Sequence, residues 1–107
     1  MHYEFIGWCH DTEANADKVW GVMILQRDIN GDQYSWDSQH KFAAFWGRRG
    51  KKLQTKISTD NQDAINKLIN SKSKKGYTAI RRDELDLVYP EFQADLEETA
   101  FWAQLKA

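Results

Sequence analysis

Residues 45–56 set two aromatic rings against a dense run of positive charge. Phe45 and Trp46 lead into Gly47, Arg48, Arg49, Gly50, Lys51, Lys52, Leu53, Gln54, Thr55 and Lys56. An indole face beside guanidinium and ammonium groups suits a nucleic acid, where bases offer stacking surfaces and phosphates offer charge. The glycines at 47 and 50 permit tight turning and close backbone approach. Arg48, Arg49, Lys51, Lys52 and Lys56 follow one another with no acidic residue between them, denser than solubility alone needs. A second cluster, Lys72, Lys74 and Lys75, stands just before Gly76 and Tyr77. A helix C-terminus would recruit those lysines through its dipole whether or not they touch a ligand.

Other chemistries find little support. Cys9-His10-Asp11 invites a catalytic or metal reading, but neighbours on a strand point to opposite faces. A nucleophilic Cys–His pair is normally assembled from distant positions. His2 and His40 have no partner at zinc-ligand spacing, and a lone cysteine cannot found a structural zinc site. The carboxylates Asp83, Glu84, Asp86, Glu97 and Glu98 read as helix surface and linker. There is no phosphate-cradling glycine loop, nucleophile elbow or kinase signature. The expectation is therefore no catalytic residue, no metal and no cofactor.

The net charge of −1 conceals a strong polarity. Residues 38–82 hold 12 Lys/Arg and 2 Asp/Glu, and the remainder holds 3 Lys/Arg and 14 Asp/Glu. That segregation says more about partners than a near-neutral total does. At 107 residues and 41% hydrophobic content, a single folded domain with one core is expected. The only cysteine is Cys9, which fits a reducing compartment. The first 25 residues lack a basic start, an apolar run and a cleavage site, so no signal peptide is expected. No stretch approaches the ~18 apolar residues of a membrane span. A cytoplasmic protein with no membrane contact is expected.

The elements that must carry these residues follow from periodicity. Residues 3–9 read as an aromatic-rich strand and 11–17 as a polar turn. Residues 18–26 alternate Trp20, Val22 and Ile24 against Val19, Met23 and Leu25. Both faces are apolar, which marks a central strand. Asn30-Gly31 signals a hairpin turn. Residues 39–46 form a strand with Phe42, Ala44 and Trp46 opposite Ala43 and Phe45, and residues 51–58 another with Leu53, Thr55 and Ile57 on one side. Thr59 and Gln62 fit a capping box for a helix over about 60–73, with the stripe Ala64, Ile65, Leu68 and Ile69, stopping near Gly76. Residues 77–81 add a last strand. Pro90 suits the first position of a helix over 90–105. Phe92, Leu96, Ala100 and Ala103 form its main apolar face, with Phe101 and Leu105 roughly opposite, offered to another protein. The expected fold class is α+β: an antiparallel sheet of about four to five strands, one amphipathic helix packed on it, and a C-terminal helix.

Trp46-Gly47-Arg48 after a strand, then Gly50, then Gln54-Thr55-Lys56, then a helix ending Lys72-Ser73-Lys74-Lys75-Gly76-Tyr77, resembles a WGR domain. That module is named for its Trp-Gly-Arg signature and occurs in DNA-damage-dependent poly(ADP-ribose) polymerases and in many bacterial proteins. Tyr3-Glu4-Phe5-Ile6 and Ala16-Asp17-Lys18-Val19-Trp20 are similar to the opening strands of the bacterial versions. The likeness covers residues 3–80 and divides the chain into a WGR-like part, 1–82, and an acidic helical extension, 83–107, packed on the same domain. Two positions depart from the family pattern. Leu53 stands where a glycine usually precedes the Gln, and Arg49 stands where a β-branched aliphatic is usual. The resemblance implies an antiparallel sheet with one helix on a face, binding near a DNA break. It gives Trp46 a role packing on a strand end and Arg48 a contact to DNA or to a neighbouring domain. The ADP-ribosyltransferase domain of those polymerases would not fit in 107 residues beside it.

The expected function is thus a non-enzymatic nucleic-acid-binding module that recognises DNA ends or strand breaks, with DNA favoured over RNA. The expected contact residues are Trp46, Arg48, Arg49, Lys51, Lys52 and Gln54 around the signature, then Lys56, Lys72, Lys74, Lys75 and Tyr77. The alternative is an adaptor that docks on a larger enzyme or nucleoprotein complex, through the basic face or through Phe101 and Leu105 of the C-terminal helix.

Overall fold

A computed structural model describes residues 2–13, 16–31 and 38–106, with the side chains of Leu105 and Lys106 outside that description. Five strands and four helices succeed one another: β1 (His2–Asp11), β2 (Ala16–Gln26), β3 (Gln39–Arg48), β4 (Gln54–Asn61), α1 (Gln62–Lys74), β5 (Thr78–Ala79), α2 (Arg82–Val88), α3 (Phe92–Glu97) and α4 (Ala100–Lys106). The strands form one antiparallel sheet in the order β4-β3-β2-β1-β5. The fold is α+β. β2 lies at the centre, as its two apolar faces require: Trp20, Val22 and Ile24 join one buried cluster, while Val19 and Met23 join the other. Of the turn at Asn30-Gly31, the described part closes with the Gly31 amide donating to the Asp28 carbonyl at 2.9 Å. Residues 32–37 lie outside the described residues.

The sheet is covered on both sides. α1 packs Ile65, Leu68 and Ile69 over Trp20, Val22, Ile24 and Phe42. On the other face, Leu85, Tyr89, Phe92, Leu96 and Phe101 from the C-terminal segment close over Ile6, Met23, Phe45 and Leu53. A shift in register between Tyr3 and Phe5 lets β1 serve both layers. It turns Tyr3 toward the C-terminal helices and Phe5 toward α1. Gly21 lies under the ring of Phe45; a Cβ there would clash with that ring and stand 2.6 Å from the Phe5 carbonyl oxygen.

Three expectations are corrected. β4 continues to Asn61, so Thr59 is paired with Lys41 in the ladder and cannot cap the helix. Asn61 is the cap, its side chain accepting from the Ala64 amide at 2.9 Å. Residues 82–88, read as linker, form α2; Glu84 accepts the Arg81 amide at 3.0 Å and Leu85 is buried. The single helix over 90–105 is two helices that start after Pro90, with a break at Glu98 and Thr99. The buried Thr99 donates its hydroxyl to the Leu96 carbonyl at 2.7 Å, ending α3. The break rephases the apolar stripe of α4, so Phe101 is 2% exposed in the core and is not offered to a partner, while Ala100 and Ala103 are exposed. The side chain of Leu105 lies outside the described residues.

Candidate nucleic-acid interface

β3 presents Phe42, Ala44 and Trp46 to the α1 side of the sheet. In the ladders, Trp46 stands opposite Trp20 on β2 and Gln54 on β4, and Ala44 opposite Lys56. A groove of ≈ 350 Å³ opens there between the sheet and the C-terminal end of α1. Trp20, Phe42 and Ala44 form its apolar floor, and Trp46, Lys56 and Tyr77 stand at its walls. Ser58, Leu68 and Lys72 complete the lining. Trp20 is buried at 4% exposure, whereas Trp46 and Tyr77 are half-buried and keep accessible surface.

The end of α1 sets two of these side chains. The Gly76 amide donates to the Ser73 carbonyl at 3.2 Å and the Tyr77 amide to the Lys72 carbonyl at 3.3 Å. Gly76 sits at φ 103°, a conformation that an L side chain rarely adopts. This is a Schellman closure, which folds the residue after the glycine back along the helix it ends. Tyr77 is thereby returned to the same groove as Lys72. Cations stand over the rings: Lys72 Nζ is 5.6 Å from the centre of Trp20, and Lys18 Nζ is 5.8 Å from that of Tyr77. Burial, and after it the charge of the nearby Cys9, pushes the Tyr77 phenol above its ordinary range, so it stays a hydrogen-bond donor near neutral pH.

The two glycines of the signature hairpin make its turn, and the strand expected from residue 51 begins at Gln54. The Lys51 amide donates to the Arg48 carbonyl at 3.0 Å, and Gly50 at φ 81° supplies the left-handed third position of a type II turn. The tightness moves to Gly47, where a Cβ would stand 3.0 Å from a methyl of Leu53 and 3.3 Å from the Lys52 carbonyl. Leu53, 2% exposed, packs into the core beneath the C-terminal helices. Arg49 is turned to that same side. It pairs with Asp17 at 2.8 Å, donates to the Val88 carbonyl at 2.6 Å and lies 5.6 Å from the centre of the Trp8 ring. Burial acts to raise the Asp17 carboxyl, but the Trp8 indole N–H and the Arg49 guanidinium outweigh it and hold the group below its usual range.

Thus the structure brings Trp46, Lys56, Lys72 and Tyr77 together, with Gln54 exposed beside Trp46. Arg48 stands opposite Lys18 at the end of the β2–β3 ladder, and Lys51 and Lys52 are exposed beyond it. Lys74 and Lys75 are exposed in a separate, shallower groove with Lys67, Asn70 and Ser71. Arg49 belongs to the opposite side of the sheet. No protein-family model, no curated protein and no solved structure matches this chain.

Trp20, which lines the groove, and Lys18, which stands over Tyr77, are residues of β2 that sequence reasoning did not assign to the site. Their signal was present in the alternation of β2, but only the register with β3 puts Trp20 beside Trp46. Cys9 and His10 do part to opposite faces. A Cβ on Gly76 at the end of α1 would meet Cys9 at 3.6 Å, and His10 stacks on Trp8 with ring centres 4.9 Å apart. Among the described residues, no group of His, Cys, Asp and Glu is arranged to hold a metal. No helix of the described residues is long and apolar enough to cross a membrane.

The charge polarity of the sequence becomes a polarity of layers. The α1 side carries Lys18, Lys56, Lys67, Lys72, Lys74 and Lys75, with Asp63 paired to Lys67 at 3.2 Å. The C-terminal layer carries Asp83, Glu84, Asp86, Glu91, Glu97 and Glu98, all exposed. The acidic segment therefore does not cover the basic groove.

Proposed function

We propose that this chain is a non-enzymatic DNA-binding module of the WGR kind that acts at DNA ends or strand breaks. The observation that carries the reading is the groove beside the signature. Trp46 and Tyr77 offer ring surface there, and Lys56 and Lys72 offer charge within the same ≈ 350 Å³. Exposed Lys51 and Lys52, with Arg48 at the strand end, extend the phosphate-binding surface along the hairpin. The acidic layer on the far side orients the molecule, presenting its basic side to a polyanion. Arg49 is left out of the contact set because its guanidinium is engaged by Asp17 and Val88. The adaptor reading loses Phe101, which is buried, and keeps the basic face as its docking surface. The free Cys9 suits a reducing compartment such as the cytoplasm.

Titration of the wild type, Trp46→Ala and Lys56→Gln against blunt-ended, nicked and closed circular DNA at two salt concentrations tests this. Neutralising about four to five phosphates predicts a slope of log K against log salt near −4. Lys56→Gln should lower the slope by about 1, and Trp46→Ala should weaken end binding while leaving the slope in place. Equal affinity for ended and closed DNA would sink end recognition, and salt-independent binding would sink the whole reading.

A further inference from the structure

The groove is bounded by the sheet on one side and by Leu68 and Lys72 of α1 on the other. Tyr77 lies over β1, where a Cβ on Gly7 would stand 2.9 Å from its own Cβ, and Trp46 lies over β3. β2 runs between them and supplies the floor with Trp20. The two rings thus stand over strands about two inter-strand spacings, ~9.5 Å, apart. Trp20 stands opposite both Gly7 and Trp46 in the ladders, so its side chain lies between the two, and the small residue that leaves room in the groove is Ala44, on the same face of β3 as Trp46. The volume of ≈ 350 Å³ lies at the small end of ligand sites, roughly 300–1,000 Å³. α1 packs on the same face through Leu68 and Lys72, so a base still held by its complement would bring a second backbone against the helix.

Resting on the DNA-binding reading above, we propose that this groove takes the base of one unpaired nucleotide, laid over Ala44 against the Trp46 ring, with its flanking phosphates on Lys56 and Lys72. The chain then prefers single-stranded tails to fully paired ends. Ala44 and the buried Trp20 give the base an apolar floor, and Ser58 adds a hydroxyl to the lining. Stacking of this kind tolerates any base, since every base has a π-face.

The test compares three fluorescein-labelled probes by anisotropy: a ten-nucleotide oligo-dT, a strand of the same length built of abasic sites, and a blunt DNA hairpin. Base insertion predicts oligo-dT bound roughly tenfold or more tightly than either of the others, at equal salt slopes for the two single strands. Ala44→Leu fills the floor without removing charge. It should abolish the preference for oligo-dT over the abasic strand while keeping the abasic affinity, which also reports a folded protein. Equal binding of oligo-dT and the abasic strand overturns base insertion and leaves the phosphate contacts standing. So does a preference for the hairpin, or an Ala44→Leu protein that still prefers oligo-dT. Failure of all three probes to bind at low salt overturns the underlying DNA-binding reading as well.

Discussion

The Tyr77 amide donates to the Lys72 carbonyl across Gly76, so one backbone closure places both a ring and a cation at the mouth of the same groove. The Lys-Gly-Tyr end of α1 is therefore a positioning device as well as a helix stop. Gly76→Ala tests this directly. Its Cβ would meet only Cys9, at an ordinary 3.6 Å, so the cost comes from the backbone at φ 103°. A left-handed residue costs about 1–2 kcal/mol when glycine is replaced. Urea unfolding should show that loss with an unchanged m-value, and DNA affinity should fall further than stability predicts because Tyr77 is re-aimed. A Gly76→Ala protein with unchanged affinity would show that Tyr77 is not a contact.

Arg49 should matter for folding and little for ligand. Arg49→Ala removes the ion pair to Asp17 and the bond to Val88, leaving the Val88 carbonyl without that donor and the carboxylate with the Trp8 indole N–H alone. With both side chains partly solvated, a loss of about 1–2 kcal/mol is expected. The salt slope of DNA binding should stay within error of the wild type, in contrast to Lys56→Gln. A slope that falls by about 1 would return Arg49 to the phosphate contacts.

The same pair sets a pH dependence. Asp17 is held below its unfolded value, so the native state binds fewer protons than the unfolded state across the interval between the two. Its stabilisation is fully present above the ordinary carboxylate range near pH 4 and is lost as pH falls through the depressed native value. Acid titration of stability should therefore be steeper below about pH 4 in the wild type than in Arg49→Ala, which keeps only the Trp8 share of the shift. Identical acid limbs would place the shift elsewhere.

How much of this was legible beforehand depends on the range of the interaction. The two-faced alternation of β2 and the stripe of α1 are local patterns, and both appear in the fold where the periodicity puts them. α2 was missed because five of its seven residues are charged or otherwise exposed, leaving Leu85 as its sole fully buried side chain. Its remaining signal is the spacing of Leu85 to Val88 and Tyr89, too short to stand out from a linker. The break at Thr99 was equally hidden, since a single threonine whose hydroxyl turns back to the Leu96 carbonyl carries no signal in the sequence around it. At the groove, aromatic and charge content pointed to Trp46 and Tyr77. The diversion of Arg49 depended on Asp17 and Val88, distant in sequence, and no local pattern encodes it.

Those missed helices decide what truncation does. The acidic extension reads in sequence as a helical piece packed on the same domain. In the fold it supplies Tyr89, Phe92, Leu96 and Phe101 to the cluster that includes Phe45, Met23 and Leu53. The Phe92 ring lies 5.3 Å from that of Phe45 and 5.7 Å from that of Tyr89. Burial and the bond to Asp95 push the Tyr89 phenol far above its ordinary range. Removing one such ring costs about 3–5 kcal/mol, and a whole domain is stable by only about 5–15. Deleting residues 88–107 should therefore abolish the cooperative unfolding transition, with the exposed sheet face binding a hydrophobic dye and the protein aggregating. A single Phe92→Ala substitution should lower the urea midpoint while leaving a cooperative transition and full DNA affinity at low denaturant. A truncated chain that unfolds cooperatively and binds DNA like the full one would show that the sheet and α1 alone make a stable domain.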